Sequence, residues 1–452
     1  RSVRLVKITV VGTGYVGLVS GACLADFGNH VICVDTDNKK VENLKKGVIP
    51  IYEQGLDELI ARNTAAGRLQ FTTEFTGAVK QSDVVFVAVG TPPAEDGGAD
   101  MRYVEQVVRD VGKCIEKYTV IVDKSTVPVG SGRQVKAWVL EELDRRGEKI
   151  QFDIVSNPEF MREGTAVYDF IHPDRVVIGA ESGMARKIME TVYRPLYLNE
   201  IPCIETNLES AEMIKYASNA FLAVKIAFIN EIANLCEKTG ADVQDVAAGI
   251  GCDRRIGKRF LQCGPGYGGS CFPKDTQAIA VTGRRYGSPL SIVETTITAN
   301  ENQKFKMIEK IEAGMEMGGG GVSGKTLAVL GLAFKNNTND MRESPAITIC
   351  EGLVKRGAFL RVYDPAAMEE AAWRLSSIKN SVYFANDEYD AVNSADAVVL
   401  LTEWHSFGNL DLQKTSKLLS QPFFFDLRNM YKREEIEGAG LRYFGIGRGA
   451  GS

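Results

Sequence analysis

One thiol ends the most backbone-permissive stretch of the chain, Gly264-Pro265-Gly266-Tyr267-Gly268-Gly269-Ser270-Cys271-Phe272-Pro273-Lys274-Asp275. Glycines in front of it strip away steric cover, as close approach by a bulky ligand would require, and a thiol so placed is a candidate nucleophile. The other eight cysteines include Cys23 and Cys33, which fall in a helix pattern and a strand pattern where a thiol is a small core residue. Chemistry alone leaves both readings open for Cys271. A second constellation, Glu212, Lys215 and Asn219, repeats at i, i+3 and i+7 and makes one polar stripe on an otherwise apolar stretch. Such a stripe is either a solvated face or the wall of a cleft; in a cleft, Lys215 is suited to stabilising an oxyanion. Arg254, Arg255, Lys258 and Arg259 concentrate positive charge, as a solvated helix face or as a clamp for phosphate or sugar oxygens.

A third group points to a dinucleotide. Gly12-Thr13-Gly14-Tyr15-Val16-Gly17 follows a β-branched run and opens a helical stretch, and Asp35 ends the next β-branched run. In that context the glycines permit a tight turn and let backbone N–H groups approach a pyrophosphate. Asp35 is placed to accept from the adenosine ribose and would repel a 2′-phosphate, which favours NAD over NADP. Three further strand ends carry turn-forming polar residues: Gly90-Thr91-Pro92-Pro93, Lys124-Ser125-Thr126-Val127-Pro128 and Ser156-Asn157-Pro158-Glu159-Phe160. At the carboxyl edge of a doubly wound sheet they would converge on the nicotinamide.

These residues need elements to hold them. Strand patterns at 3–11, 30–34, 84–89, 120–123, 154–155 and 175–178, separated by helical or loop segments, predict a parallel doubly wound sheet over the first 190 or so residues. Leu208 to Thr239 reads as one helix stopped by Gly240. After the glycine run Gly318 to Gly321, strands at 326–330, 359–363, 397–401 and 423–425 predict a second, smaller α/β domain. The expected division is 1–205, 206–315 and 316–452.

Bulk composition agrees with this plan without naming a chemistry. Hydrophobic residues at 44% and charged residues at 25% of 452 are ordinary for globular proteins. No uninterrupted apolar run reaches bilayer length, so no transmembrane helix is expected. Nine unpatterned cysteines and no secretory signal pattern make a reducing, cytoplasmic setting the default. With three histidines no zinc site is expected, and a net charge of −5 offers no general attraction for nucleic acid or an anionic membrane.

Taken together, GTGYVGLV at Gly12, VGTPP at Val89, KSTVPVGS at Lys124, SNPEFMREGTA at Ser156, HPDRVVIG at His172, EMIKYASNAFLA at Glu212, RRIGKRFL at Arg254, GYGGSCFPKD at Gly266 and GLAFKNNTNDMRESPA at Gly331 resemble the UDP-glucose/GDP-mannose dehydrogenase family over nearly the whole chain. The resemblance implies an N-terminal Rossmann NAD-binding domain, a central helical segment that builds a homodimer or larger homo-oligomer, and a C-terminal Rossmann-like domain that grips the nucleotide. It further implies oxidation of a sugar primary alcohol twice to a carboxylate, with two NAD and one water per UDP-glucose. By this resemblance Cys271 is the nucleophile of a thiohemiacetal and then a thioester, Lys215 and Asn219 stabilise the oxyanion, Thr126 and Asp275 position water and protons, and Glu159 serves thioester hydrolysis. Cofactor contacts are implied at Gly12, Gly14, Tyr15, Val16, Gly17, Asp35, Lys40, Thr91, Thr126, Glu163 and Arg342. Substrate contacts are implied at Phe160, Lys215, Asn219, Arg255, Phe260, Tyr267, Gly268, Phe334, Lys335 and Arg428, with Arg255 reaching across the dimer. Relatives acting on GDP-mannose or UDP-N-acetyl hexosamines share the mechanism, and the RRIGKRFL and GYGGSCFPKD wording favours UDP-glucose. A Rossmann binding protein without chemistry is the alternative from another class.

Overall fold

The computed structural model describes residues 5–448, which divide into two compact units. The first comprises residues up to Ser218 together with Val281–Ser288. Its eight strands are β1 (Lys7–Val11), β2 (His30–Val34), β3 (Leu69–Thr72), β4 (Val84–Val87), β5 (Thr119–Asp123), β6 (Phe152–Ser156), β7 (Val176–Ala180) and β8 (Cys203–Thr206). They form one sheet in the order β3-β2-β1-β4-β5-β6-β7-β8. The first six make the Rossmann order with every pairing parallel. Central strands such as Val84-Val85-Phe86-Val87 are buried throughout, the continuous apolar run that a sheet covered on both faces demands.

The expected all-parallel arrangement stops at β6. Strand β7 pairs with it antiparallel, Val155 opposite Ala180 and Ser156 opposite Gly179, and β8 then runs parallel to β7. A parallel return needs a crossover, usually a helix that spans the sheet face. The link from β6 to β7 holds only the six-residue helix Ala166–Ile171 after an irregular loop, and the chain turns back instead.

The second unit comprises Asn219–Ala280 and the chain from Pro289 onward. Strands β9 (Thr326–Leu330), β10 (Phe359–Tyr363), β11 (Val382–Phe384), β12 (Ala397–Leu400), β13 (Phe423–Asp426) and β14 (Arg442–Gly445) form a parallel sheet in the order β11-β10-β9-β12-β13-β14. This repeats the Rossmann order. Its first turn, however, is closed from within: Asp364, just past β10, accepts from the backbone N–H of Leu332 (2.8 Å) and Ala333 (3.0 Å) and from Trp404 Nε1 (3.1 Å). Leu332, Ala333 and Asp364 are all buried.

The long helix Leu208–Thr239 keeps its expected bounds, and Gly240, at φ +82°, ends it with its N–H on Cys236 O. By length and apolarity this helix could cross a bilayer, which the search for unbroken apolar runs did not foresee because Glu212, Lys215 and Lys225 interrupt it. Ala211, Tyr216, Ala223, Ile229 and Ala233 on it are buried in the protein.

Candidate functional site

In the first unit the glycine turn leaves β1 and starts the helix Tyr15–Asp26. Each glycine has its own steric reason. Gly12 sits at φ +99° with Ala88 O where a Cβ would be, and a Cβ on Gly17 would fall 1.9 Å from Gly12 O, so helix and turn touch backbone to backbone. At Gly14, the N-cap, a Cβ would meet nothing within 4 Å. That open space before a helix N-terminus fits a pyrophosphate.

Asp35 stands beside it, accepting from Thr13 N (3.0 Å), the Thr13 hydroxyl, Asp37 N (3.0 Å) and Lys40 Nζ (3.1 Å). Burial alone would raise its pKa; the donors outweigh burial and hold the carboxyl at about 2. The acid is thus a fixed anion beside the glycine turn. A cofactor set built on Gly12, Gly14, Gly17 and Asp35 fits NAD. Glu53, absent from the sequence expectations, ties this turn to the loop after β6: it accepts from Tyr15 OH, from Gly164 N (2.8 Å) and from Ala166 N (2.8 Å). No motif announces a lone Glu in a connecting loop. Tyr15 is therefore engaged with Glu53 and Gly164, and the expected cofactor residue Glu163 precedes the clamped glycine.

The loops after β4 and β5 meet at the same sheet edge, where Thr91 Oγ1 donates to Thr126 O (2.8 Å) and Ser125 Oγ to Val89 O (2.7 Å). After β6, Glu159 is buried and grips Lys215, whose Nζ donates to Glu159 O (2.6 Å) and Oε1 (3.0 Å). Its other oxygen accepts from Met161 N (2.7 Å). Burial opposes the charge on Glu159, but the Lys215 ammonium and the Met161 amide prevail and keep its pKa below the usual carboxylate value. The polar stripe is thus a buried one at this end. Phe160 lies under Arg175, 3.6 Å from ring centre to guanidinium carbon, and 5.4 Å from Lys215 Nζ. Lys124 is buried too, donating to Asn157 Oδ1 (3.1 Å) and Tyr193 OH (3.2 Å); burial brings its pKa down to about 8.

In the second unit Cys271, half-buried, directly precedes the helix Phe272–Arg285, with its carbonyl accepting from Asp275 N (2.8 Å) and its Sγ 3.6 Å from Ser270 Oγ. Asp275 is buried between Asn219 Nδ2 (2.7 Å) and Lys274 Nζ (2.9 Å). Nucleophile candidate, carboxylate and amide therefore form one cluster. Around it Phe260 stands at φ +63°, a left-handed conformation rare for a bulky residue, and its ring meets Phe272 at 6.1 Å, as Tyr267 does at 6.0 Å.

The glycines before Cys271 have a different cause from the one expected. A Cβ on Gly268 would fall 2.5 Å from Glu343 O, and one on Gly269, at φ +85°, would fall 2.7 Å from the Phe334 ring. They allow the chain to pack on its own 331–344 segment, and Gly269 N donates to Arg342 O (2.8 Å) there. This seats Phe334, Lys335 and Arg342 near the cysteine loop. The Arg342 side chain itself pairs with Asp340 (2.8 Å). Arg428 donates to Leu401 O (2.7 Å) and Phe334 O (3.0 Å). Arg255 is 90% exposed and pairs with Asp253, as a solvated residue within one chain. A surface cavity of about 370 Å³ in the first unit, lined by Leu5, Phe27 and Leu198 among others, lies at the amino end of β1, opposite the glycine turn.

Comparison with known proteins matches this arrangement along the whole chain. Three models of the UDP-glucose/GDP-mannose dehydrogenase family fit in order: the NAD binding domain at residues 6–197, the central domain at 209–302 and the UDP binding domain at 328–433. The chain is 51% identical to UDP-glucose 6-dehydrogenase of Rhizobium meliloti over 98% of its length and 99% of the relative's, and 47% identical to UDP-glucose 6-dehydrogenase TuaD of Bacillus subtilis over 98% and 94%. Among solved structures, a UDP-glucose dehydrogenase from Pyrobaculum islandicum superposes with a TM-score of 0.86 at 37% identity, covering 95% of this chain and 99% of that one. The chain belongs to the UDP-glucose/GDP-mannose dehydrogenase family, whose members are NAD-dependent nucleotide-sugar dehydrogenases.

Proposed function

We propose that this protein oxidises the C6 alcohol of UDP-glucose to the carboxylate of UDP-glucuronate, in the cytoplasm and as at least a homodimer. The full-length match to UDP-glucose 6-dehydrogenases of Rhizobium meliloti and Bacillus subtilis carries the substrate assignment. Bound NAD supplies the hydride acceptor in each of two oxidations. The chain does the rest. Gly14 and the helix behind it receive the pyrophosphate, and Asp35 takes the ribose hydroxyls. Thr126 and Asp275 orient water and relay protons, while Phe160, Phe260, Tyr267, Gly268, Phe334, Lys335, Arg255 and Arg428 hold the nucleotide sugar.

After the first oxidation Cys271 Sγ adds to the C6 aldehyde, and the resulting oxyanion is met by Lys215 and Asn219, one helical turn apart on the helix Leu208–Thr239. Loss of the second hydride leaves a thioester, which water cleaves to release the carboxylate and the thiol, with Glu159 serving that step. The Asn219–Asp275 hydrogen bond and the grip of Glu159 on Lys215 support this assignment, because each fixes one of the two oxyanion donors before substrate arrives. A dimer is supported by Phe221, Phe228 and Leu235, exposed apolar residues repeating every seven positions on that helix. The deciding assay follows NADH at saturating NAD with UDP-glucose, UDP-N-acetyl hexosamines and GDP-mannose. UDP-glucose alone should turn over rapidly, with two NADH per carboxylate formed; faster turnover of another sugar would reassign the substrate.

A further inference from the structure

Glu212 belongs to the polar stripe of the long helix but touches neither the cysteine cluster nor the nucleotide turn. Its carboxylate is buried and accepts two backbone N–H groups from a distant segment, Gly130 N on Oε2 (2.6 Å) and Gly132 N on Oε1 (2.7 Å). Those amides begin the helix Ser131–Arg146 and close the loop that leaves β5 with Lys124, Ser125 and Thr126. The other end of the loop is tied to β4 and the segment after it, through Lys124 N on Val87 O (3.0 Å) and Thr91 Oγ1 on Thr126 O. The local sequence is shaped for this contact. Gly130 sits at φ +95°, and a Cβ on Gly132 would lie 3.2 Å from Glu212 Oε1 and from Leu208 Cδ1.

We propose that Glu212 is a positioning residue for the oxidation: its carboxylate, by accepting both amides, fastens the Thr126 loop to the helix, one turn from Lys215. The proposal rests on the functional reading above. A carboxylate offers an acceptor oxygen to each N–H, whereas the acid form turns one oxygen into a hydroxyl donor. The charged groups around Glu212 are Arg133 on the capped helix and Glu209 on its own helix, with Asp123 at the end of β5. Asp123 is fully buried, neither carboxylate oxygen has a hydrogen-bond partner, and burial together with Glu212 pushes its pKa well above the usual carboxylate value. Burial raises Glu212 to about 7 against the two amides that lower it.

The test uses the full chain and two variants, Glu212→Gln, which keeps size but not charge, and Gly132→Ala, which keeps the charge but crowds the contact. Hydrogen exchange of peptides covering 124–132 should be slow in the parent and markedly faster in Glu212→Gln at the same pH. With UDP-glucose, Glu212→Gln should lower kcat by about tenfold or more while KM and the NAD Kd move less than about threefold. Gly132→Ala, which crowds the same contact, should lower kcat as well. Parental exchange or parental kcat in Glu212→Gln overturns the proposal; if that variant does not fold, an unperturbed Gly132→Ala overturns it. A parent chain inactive on UDP-glucose would defeat the functional reading, and the exchange measurement then decides the clamp alone.

Discussion

Cys271 is the residue on which the proposed chemistry turns. Serine keeps the size of cysteine but its hydroxyl ionises far less readily than a thiol, so the thioester cannot form at a useful rate. Cys271→Ser is expected to bind NAD and UDP-glucose, to release at most a small burst of NADH, and to lose steady-state formation of UDP-glucuronate by about 10³-fold or more. NADH and carboxylate should be measured separately; product at a near-parental rate would return Cys271 to a packing role. Asp35 gives a second expectation at this scale. Its carboxyl is held at about 2 by Thr13, Asp37 and Lys40, so it faces any 2′-phosphate as a full anion throughout the working pH range. We expect kcat/KM for NAD to exceed that for NADP by about 10²-fold or more, and equal efficiencies would remove Asp35 from cofactor selection.

The glycine turn lets two substitutions separate folding from binding. Gly17→Ala drives a methyl to 1.9 Å from Gly12 O and should cost about 1–3 kcal/mol or more of stability, read as a lowered Tm. Gly14→Ala points into open space and should leave Tm unchanged while weakening NAD binding; equal damage to Tm from both would mean the Gly14 space is not a ligand site. Sequence reading found this turn because its glycine spacing follows directly from backbone sterics. It also found the inner strands of both sheets and the bounds of the long helix. The four strands it passed over, β3, β8, β11 and β14, are the edges of the two sheets. Edge strands are short and half exposed, as the alternation in Leu69-Gln70-Phe71-Thr72 illustrates, so they lack the unbroken apolar run that marks a central strand. Glu53 and the reversal at β7 stayed hidden for a related reason: both depend on contacts between segments far apart in the chain. The glycines before Cys271 were visible, but their packing partners, Glu343 and Phe334, were not.

For the whole molecule, the exposed Phe221, Phe228 and Leu235 stripe predicts that Phe228→Glu, placing a charge at its centre, should shift the protein toward monomer in sedimentation or light scattering and reduce activity through Arg255, which the family resemblance places against the partner's sugar. An undiminished dimer would locate the interface elsewhere. The closed first turn of the second sheet has a consequence in time. With Asp364 occupying the Leu332 and Ala333 amides, just one turn of this kind stands open to a dinucleotide among the described residues. Two oxidations then draw on one seat. Spent NADH must leave and fresh NAD arrive while the half-oxidised sugar waits in place, so the catalytic cycle contains an obligatory exchange between its chemical steps. An aldehyde-trapping reagent added during turnover should therefore intercept little free intermediate, and stoichiometric trapping would show that the sugar departs at the exchange.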